Sequence, residues 1–153
     1  MFGLGETLAS FARYRQQVEG RLDNRALPDG KLVETSDFGT NPGNLLMRRF
    51  VPDKLGPQAP LVVVLHGGTQ SAASYDAGAG WIQLAMLANF AVLLPEQRRI
   101  NNPNLCFNWF LPEDTRPDQG EVASIKQMVD RMTWIMVSSR NRSLSLACPP
   151  TAP

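Results

Sequence analysis

A histidine and two glycines follow the most apolar run of the chain, and their position suggests acyl-transfer chemistry. The run Leu61 to Leu65 contains only Leu and Val, and His66-Gly67-Gly68 comes directly after it. Glycine lets the backbone turn tightly and approach a bound molecule closely. A hydrolase that attacks a carbonyl group stabilises the resulting oxyanion with backbone N–H groups that are already in place. The tripeptide therefore suits an oxyanion loop, although on its own it favours an ordinary strand-to-helix turn.

Three other residues carry side chains that could take part in catalysis. Glu96 could act as an acid, but a carboxylate just after a strand more often makes hydrogen bonds within a loop. Cys106 could act as a nucleophile, whereas Cys148 precedes two prolines and has no base nearby in the sequence. Two cysteines and the single histidine, His66, define neither a disulfide framework nor a metal-ligand cluster. No metal and no cofactor is therefore expected.

The elements around the glycine pair predict an α/β fold. Residues 60–65 are apolar on both faces, which is typical of a strand covered on both sides. Trp81 to Asn89 has the pattern of a helix, and Phe90 to Leu94 is a second apolar strand that ends at Pro95. Strand, helix and strand within about 35 residues form a βαβ unit, which predicts two adjacent parallel strands. Open α/β sheets bind ligands at the carboxyl ends of such strands, where His66-Gly67-Gly68 lies.

Further elements are predicted on both sides of this unit. They are an amphipathic helix in residues 1–22, strands at Lys31 to Thr35 and Leu45 to Val51, and a helix from Asp118 to Met132. Residues 134–153 contain no Asp or Glu and show no periodicity, so an irregular tail is expected there. The predicted organisation is a peripheral helix and turn in 1–30, an α/β domain in 31–133 and the tail in 134–153.

Charge and hydropathy exclude several classes of protein. The net charge is +1 and no basic stripe is present, so a nucleic-acid partner is not expected. The longest apolar run is far too short to span a membrane, so no membrane partner is expected either. The first residues lack the apolar segment of a secretory leader, which predicts a cytoplasmic chain as written.

Seven blocks within residues 36–132 occur in a characteristic order and spacing. They are Phe38 to Asn44, Pro60 to Gln70, Trp81, Pro95 to Gln97, Asn101 to Phe110, Gln119 to Glu121, and Ile125 to Val129. Together they resemble the polyhydroxybutyrate (PHB) depolymerase family of esterases. The block Asn-Asn-Pro-Asn-Leu-Cys-Phe-Asn-Trp-Phe is the most specific of the seven.

The resemblance implies a serine esterase of the α/β-hydrolase superfamily. It also implies that this chain forms the N-terminal part of the fold, a mostly parallel sheet flanked by helices. Such an enzyme cleaves hydroxyalkanoate polyesters or related small esters through a Ser-His-Asp triad, and the family is often extracellular. Transferred to this sequence, the oxyanion hole is formed by Gly67 and Gly68, the loop is supported by His66, Thr69 and Gln70, and the substrate site is shaped by Asn108 and Trp109. The family usually has a cysteine where Gly68 stands, and the resemblance implies that this cysteine bridges to Cys106.

The serine elbow of the family, G-x-S-x-G, does not occur in the chain. The triad Asp and His of the family lie further along the sequence, so the 153 residues as written are expected to be inactive. A change of reading frame near residue 133 would explain the tail. In the shifted frame Trp134-Ile135 forces Asp and Met136-Val137 forces Gly. Permissive codons place the Gly-x-Ser of an elbow within Leu146 to Pro150, but the fifth position of that elbow cannot be Gly.

Three functions follow from these observations. The first is an esterase of the PHB depolymerase family whose substrate is a small ester or polyester. The second is a non-catalytic binding or interaction module derived from that fold. The third is an unrelated α/β enzyme that uses Glu96 or Cys106.

Overall fold

The computed structural model describes residues 31–146, which form one sheet with helices on both faces. The strands are β1 (Val33–Thr35), β2 (Leu46–Phe50), β3 (Leu61–Val63) and β4 (Ala91–Glu96), in the spatial order β1-β2-β4-β3. β3 and β4 are parallel, with Leu61 beside Ala91 and Val63 beside Leu93. The α/β class and the parallel strand pair are therefore confirmed.

The parallel character of the described sheet is limited to this one pair. β1 pairs with β2, and β2 with β4, in antiparallel fashion. The β1–β2 connection is a short loop with a turn at residues 41–44. Such a loop is sufficient because antiparallel strands can be joined without a long crossover. The β3–β4 connection contains two helices, as a parallel pair requires.

Four helices complete the described chain. They are α1 (Ala72–Ala79), α2 (Trp81–Ala88), α3 (Pro112–Thr115) and α4 (Gly120–Leu146). The sequence predicted α2 but not α1, whose small residues carry little apolar pattern. The signal for α1 lies at its start, where Ser71 caps the helix and Ser74 completes a reciprocal capping box.

Two apolar layers hold the sheet between the helices. On one face Met47, Ala91 and Leu93 pack with Met128 and Met132 of α4. On the other face Val64, Val92 and Leu94 pack with Ala72 of α1 and Ala85 of α2. β4 contributes to both layers because it is buried on both faces. The apolar composition of β4 follows from this two-sided covering. β3, which the sequence also predicts to be covered on both sides, is only partly covered, since Val63 is exposed.

The expectation of an irregular tail is wrong as far as residue 146. Helix α4 continues to Leu146, and Ile135 and Met136 are buried in the same layer as Met128 and Met132. The four side chains recur at helical spacing, so the apolar period passes through residue 133 without a break. The frame change near residue 133 stays a prediction. The amphipathic helix expected in residues 1–22 lies outside the described residues.

Within residues 31–146, no helix combines the length and the apolar character needed to cross a membrane.

Candidate active site

His66 anchors the predicted oxyanion loop through both nitrogens of its ring. The ring is buried, and its Nε2 accepts a hydrogen bond from the backbone N–H of Gln97 at 3.0 Å. Because Nε2 accepts, the proton lies on Nδ1, which donates to the carbonyl oxygen of Gly67 at 2.8 Å. The ring also packs against Phe107, with 5.1 Å between ring centroids. His66 therefore orients the loop, and neither nitrogen is free to act as a base.

The amides on either side of Gly68 are engaged within the loop or with a neighbouring loop. Gly67 N–H donates to the Gln70 side chain at 2.9 Å, and Thr69 N–H donates to the carbonyl oxygen of Asn104 at 2.6 Å. Thr69 has a φ of 64°, which is rare for a β-branched residue, and its hydroxyl donates to the Gly68 carbonyl oxygen at 2.6 Å. These bonds fix a strained local conformation.

Gly68 N–H has no hydrogen-bond acceptor among residues 31–146, and Gly68 is exposed. Of the two predicted donors, only Gly68 therefore presents a free N–H group. A role for Gly67 as a second donor stays a prediction that requires its bond to Gln70 to open.

Gln97, which is 2% exposed, joins the loop to the rest of the site. Its side-chain amide nitrogen donates to the carboxylate of Glu121 and, at 3.0 Å, to the carbonyl oxygen of Cys106. Its amide oxygen accepts from Asn101 Nδ2 at 2.8 Å and from Arg98 N–H at 2.9 Å. Together with the backbone bond to His66, these contacts satisfy every polar atom of the Gln97 side chain.

Glu121 lies in the first turn of α4 and closes this network. Its carboxylate accepts from the backbone N–H of Asn108 at 2.8 Å as well as from Gln97. Burial raises the pKa of Glu121 above its ordinary value, although the two hydrogen bonds act in the opposite direction. The side chain of Asn108 is buried and accepts from Asn102 at 2.9 Å. Asn108 therefore supports the site from within.

A second loop, residues 38–44, packs beneath the network. Gly43 N–H donates to Ser124 of α4 at 2.8 Å, and Asn101 Nδ2 donates to the Gly43 carbonyl oxygen at 3.1 Å. Gly43 must be glycine here, because a Cβ atom would lie 2.6 Å from the Cα atom of Glu121. This block of the sequence therefore serves to seat the first turn of α4.

Glu96 and Cys106 do not form a catalytic centre of their own in the described chain. One oxygen of Glu96 accepts from Ala72 N–H at 2.7 Å at the start of α1, and the other lies 3.9 Å from Arg48. Cys106 is half-buried with its Sγ 3.7 Å from the Asn104 carbonyl oxygen. Within residues 31–146, no group of three His, Cys, Asp or Glu side chains could hold a metal ion.

The structure brings most of the predicted site residues together and leaves one outside. His66, Gly67, Gly68, Thr69 and Gln70 form one loop at the end of β3. Asn108 lies in the network below it. By contrast, the Trp109 side chain is 79% exposed and packs edge-on against Phe110. Gln97 and Glu121 were recognised in the sequence only as parts of blocks, and their central position was not predicted.

Gly68 faces Cys106 across the site. A Cβ atom at Gly68 would lie 2.8 Å from Cys106 Sγ. Across a disulfide, a bond of about 2.05 Å between the sulfurs places Cβ of one cysteine about 3 Å from Sγ of the other. The φ of Gly68 lies outside the left-handed range, so a side chain is tolerated by the backbone. The geometry therefore fits the cysteine pair that the family resemblance implies.

We expect Gly68→Cys to form a disulfide with Cys106. After mild oxidation, thiol titration of the unfolded chain should find one free thiol, that of Cys148. Closing this loop should raise the free energy of unfolding by about 2–4 kcal/mol relative to the reduced form. Gly67→Cys is the matched control, since Gly67 faces the Gln70 side chain instead. Three free thiols in oxidised Gly68→Cys would contradict the geometry.

We expect Glu121→Gln to destabilise the fold, because Gln97 and Asn108 donate to different carboxylate oxygens and the amide places an NH2 donor at one of these two positions. One buried donor then loses its acceptor, at a cost of about 1–3 kcal/mol. The raised pKa of Glu121 gives this loss a pH dependence. The stability that the Glu121 side chain contributes is complete below its unfolded-state pKa of about 4.3, and this contribution decreases as the pH rises through the folded-state pKa.

Urea denaturation at a series of pH values measures this effect. The deficit of Glu121→Gln relative to the parent chain should shrink as the pH rises above about 4.3. Glu113→Gln, at an exposed carboxylate nearby, should change little. A deficit that grows with pH would show that Glu121 is not held in a desolvated site.

Comparisons with known proteins place these residues in a family. The family model described as "Esterase PHB depolymerase" matches residues 50–141. Poly(3-hydroxyalkanoate) depolymerase C of Paucimonas lemoignei is 54% identical over 101 residues, which are 66% of this chain and 24% of that protein. A probable acetylxylan esterase A of Aspergillus fumigatus is 32% identical over 89 residues, which are 58% of this chain and 24% of that protein.

A solved structure, the acetyl xylan esterase from Aspergillus awamori, matches 43% of this chain and 24% of its own with 32% identity and a TM-score of 0.40. The chain thus spans about a quarter of the length of the relatives it matches. The family match covers the loop at the end of β3, Gln97, Asn108 and Glu121. On this evidence the chain belongs to the PHB depolymerase family of esterases.

Proposed function

We propose that residues 66–70 are the oxyanion loop of a serine ester hydrolase, and that Gly68 N–H is its donor in this chain. The observation that carries the proposal is the free, exposed N–H of Gly68 between two amides that are already bonded. A donor held in place before the reaction stabilises the developing charge without reorganisation at that moment.

The proposed reaction is hydrolysis of a carboxylic ester. A serine oxygen attacks the ester carbonyl carbon, and the carbonyl oxygen becomes negatively charged and accepts a hydrogen bond from Gly68. The triad histidine, which the resemblance places further along the sequence, takes the serine proton and returns it to the alcohol as the intermediate collapses to an acyl-serine. Water then attacks the acyl-serine, which releases the acid and regenerates the serine. In this scheme His66 positions the loop and takes no proton, because both of its nitrogens are engaged.

We propose that the 153-residue chain, assayed alone, does not turn over esters. The sequence contains no G-x-S-x-G segment, and its single histidine is His66. A second N–H donor is normally supplied by the residue after the nucleophile, so that donor is missing as well.

A hydroxyalkanoate polyester or a related small ester is the proposed substrate class. Two of the relatives are named for polyhydroxyalkanoate and for acetylxylan, both of which are esters of aliphatic acids. Trp109, edge-on to Phe110 and exposed, follows Asn108 in the sequence and offers an apolar surface for such a substrate.

A non-catalytic module that binds esters is the second candidate. The exposed Trp109 and Phe110 favour it, as does the absence of a serine elbow from the sequence. Binding to polyester particles without any turnover, both in this chain and in an extended chain that carries an elbow serine, would favour the module.

The rate of p-nitrophenyl butyrate hydrolysis tests the proposal that this fold is part of an esterase. The 153-residue chain should show the background rate, and a chain with the frame restored after Met132 and extended to the full length of its relatives, so that it carries the elbow serine and the triad Asp and His, should be active. In that active chain, Gly68→Pro removes the N–H donor and should lower kcat by about 10²–10³-fold. Gly68→Ala is the matched control, since it adds the same Cβ atom near Cys106 but keeps the N–H.

Two results would contradict the proposal. Turnover by the 153-residue chain equal to that of the extended chain would place the catalytic machinery elsewhere. Equal loss of kcat in Gly68→Pro and Gly68→Ala would show that space at this position, and not its N–H group, limits activity.

A further inference from the structure

The oxyanion loop contains a tight turn whose third residue is strained. Gln70 N–H donates to the Gly67 carbonyl oxygen at 3.3 Å, which closes a four-residue β-turn. The φ of Gly68 lies outside the left-handed range, whereas Thr69 has a φ of 64°. This combination is a type II turn, whose third position normally requires glycine or asparagine. A β-branched residue there is an outlier, so the backbone of Gly68-Thr69 by itself favours the type I form, which most residues tolerate.

Two hydrogen bonds hold the strained form of the turn. The peptide unit between Gly68 and Thr69 is the one whose orientation reverses between the two turn types. Its N–H group, that of Thr69, donates to the Asn104 carbonyl oxygen at 2.6 Å, and its carbonyl oxygen accepts from the Thr69 hydroxyl at 2.6 Å. In the type I form the Gly68 carbonyl oxygen turns toward the Asn104 carbonyl oxygen, so two acceptors face each other without a proton between them. The Asn104 carbonyl oxygen therefore selects the type II form.

The side chain of Asn102 fixes the position of the Asn104 carbonyl oxygen. Its Oδ1 accepts from Asn104 N–H at 2.9 Å, and its Nδ2 donates to the buried Asn108 side chain at 2.9 Å. Leu105 N–H donates to the Asn102 carbonyl oxygen at 2.9 Å, so a second β-turn begins at Asn102 and has Pro103 in its second position. Asparagine followed by proline is typical of the start of such a turn. The Asn102 side chain thereby links the buried network to the oxyanion loop.

We propose that Asn102 is a positioning residue of the oxyanion loop, because it holds the Asn104 carbonyl oxygen against Thr69 N–H and so keeps the turn in its type II form. This role rests on the proposed function, in which Gly68 N–H stabilises an oxyanion. Strained residues persist only where the surrounding structure over-determines them, and they cluster at functional sites. Thr69 is such a residue, since both ends of the peptide unit before it are hydrogen-bonded.

Proton NMR of the 153-residue chain reports the turn type directly. In the type II form a Gly68 Hα atom lies next to Thr69 N–H, whereas in the type I form the N–H groups of Gly68 and Thr69 are neighbours. The parent chain should show the first nuclear Overhauser contact, and Asn102→Ala should show the second. Asn102→Asp is the matched control, because a carboxylate still accepts from Asn104 N–H and should preserve the type II contact.

A second substitution separates the positioning role from a general effect on folding. In Asn102→Ala, the further change Thr69→Gly removes the strain at the third turn position. The double variant should therefore regain the type II contact without the Asn102 side chain. Glycine adds no contact of its own, so it would not restore a chain that needs Asn102 only for packing. An Asn102→Ala chain that Thr69→Gly fails to restore, folded or unfolded, would overturn the proposal.

Ester turnover in the extended chain separates this role from the proposed function. There Asn102→Ala should lower kcat by about 10²-fold with little change in KM, as expected when a donor is misplaced by about 1 Å, and Thr69→Gly should restore kcat. An extended parent chain without activity would contradict the proposed function, and the NMR contacts would then decide the role of Asn102. Type I contacts in the parent chain, type II contacts in Asn102→Ala, or a kcat that Asn102→Ala raises would each overturn the proposal.

Discussion

The site depends on one buried amide, the side chain of Gln97. It lies where β4 ends, and its partners come from the long loop after β4, from the first turn of α4 and, through the backbone, from His66. Leaving one buried polar group without its partner lowers the free energy of unfolding by about 1–3 kcal/mol. These segments therefore cannot move independently of one another. The position of Gly68 therefore depends on contacts made more than 20 residues further along the chain.

The need to satisfy the buried Gln97 side chain explains why polar segments of the sequence surround the loop of residues 66–70. This loop itself has few side chains that could react. The loop itself contributes backbone groups, a strained Thr69 and the ring of His66. Glu121 holds Gln97 and Asn108, Asn104 holds Thr69, and Ser124 holds the loop that contains Gly43. The outer edge of β3 runs directly into this loop, since Leu65 precedes His66.

The βαβ unit and the oxyanion loop could be predicted because their signals are local. An apolar run that ends in His-Gly-Gly identifies both the strand β3 and the turn after it. Helix α1 was missed because its residues are small, and its capping serines are a weak signal without an apolar pattern. The continuation of α4 does not follow from composition, because residues 134–153 contain no Asp or Glu; only Ile135 and Met136, which keep the helical period of α4, indicate it.

The roles of Gln97 and Glu121 could not be derived from periodicity. Their hydrogen bond joins the end of β4 to the start of α4, and nothing in either local sequence shows which partner the other segment supplies. By contrast, the family resemblance predicts that Gly68 lies near Cys106, and a Cβ atom placed at Gly68 would lie 2.8 Å from Cys106 Sγ.

Residue-resolved amide hydrogen exchange of the 153-residue chain tests the central claim most directly. The claim is that Gln97 fixes the loop so that, of Gly67, Gly68 and Thr69, only Gly68 presents a free N–H. In the parent chain, the amides of Gly67 and Thr69 should be protected and that of Gly68 should exchange rapidly. In Gln97→Ala, protection of Gly67 and Thr69 should fall while the amides of β4 stay protected. Strong protection of Gly68 in the parent chain, or an unchanged loop in Gln97→Ala, would contradict the account.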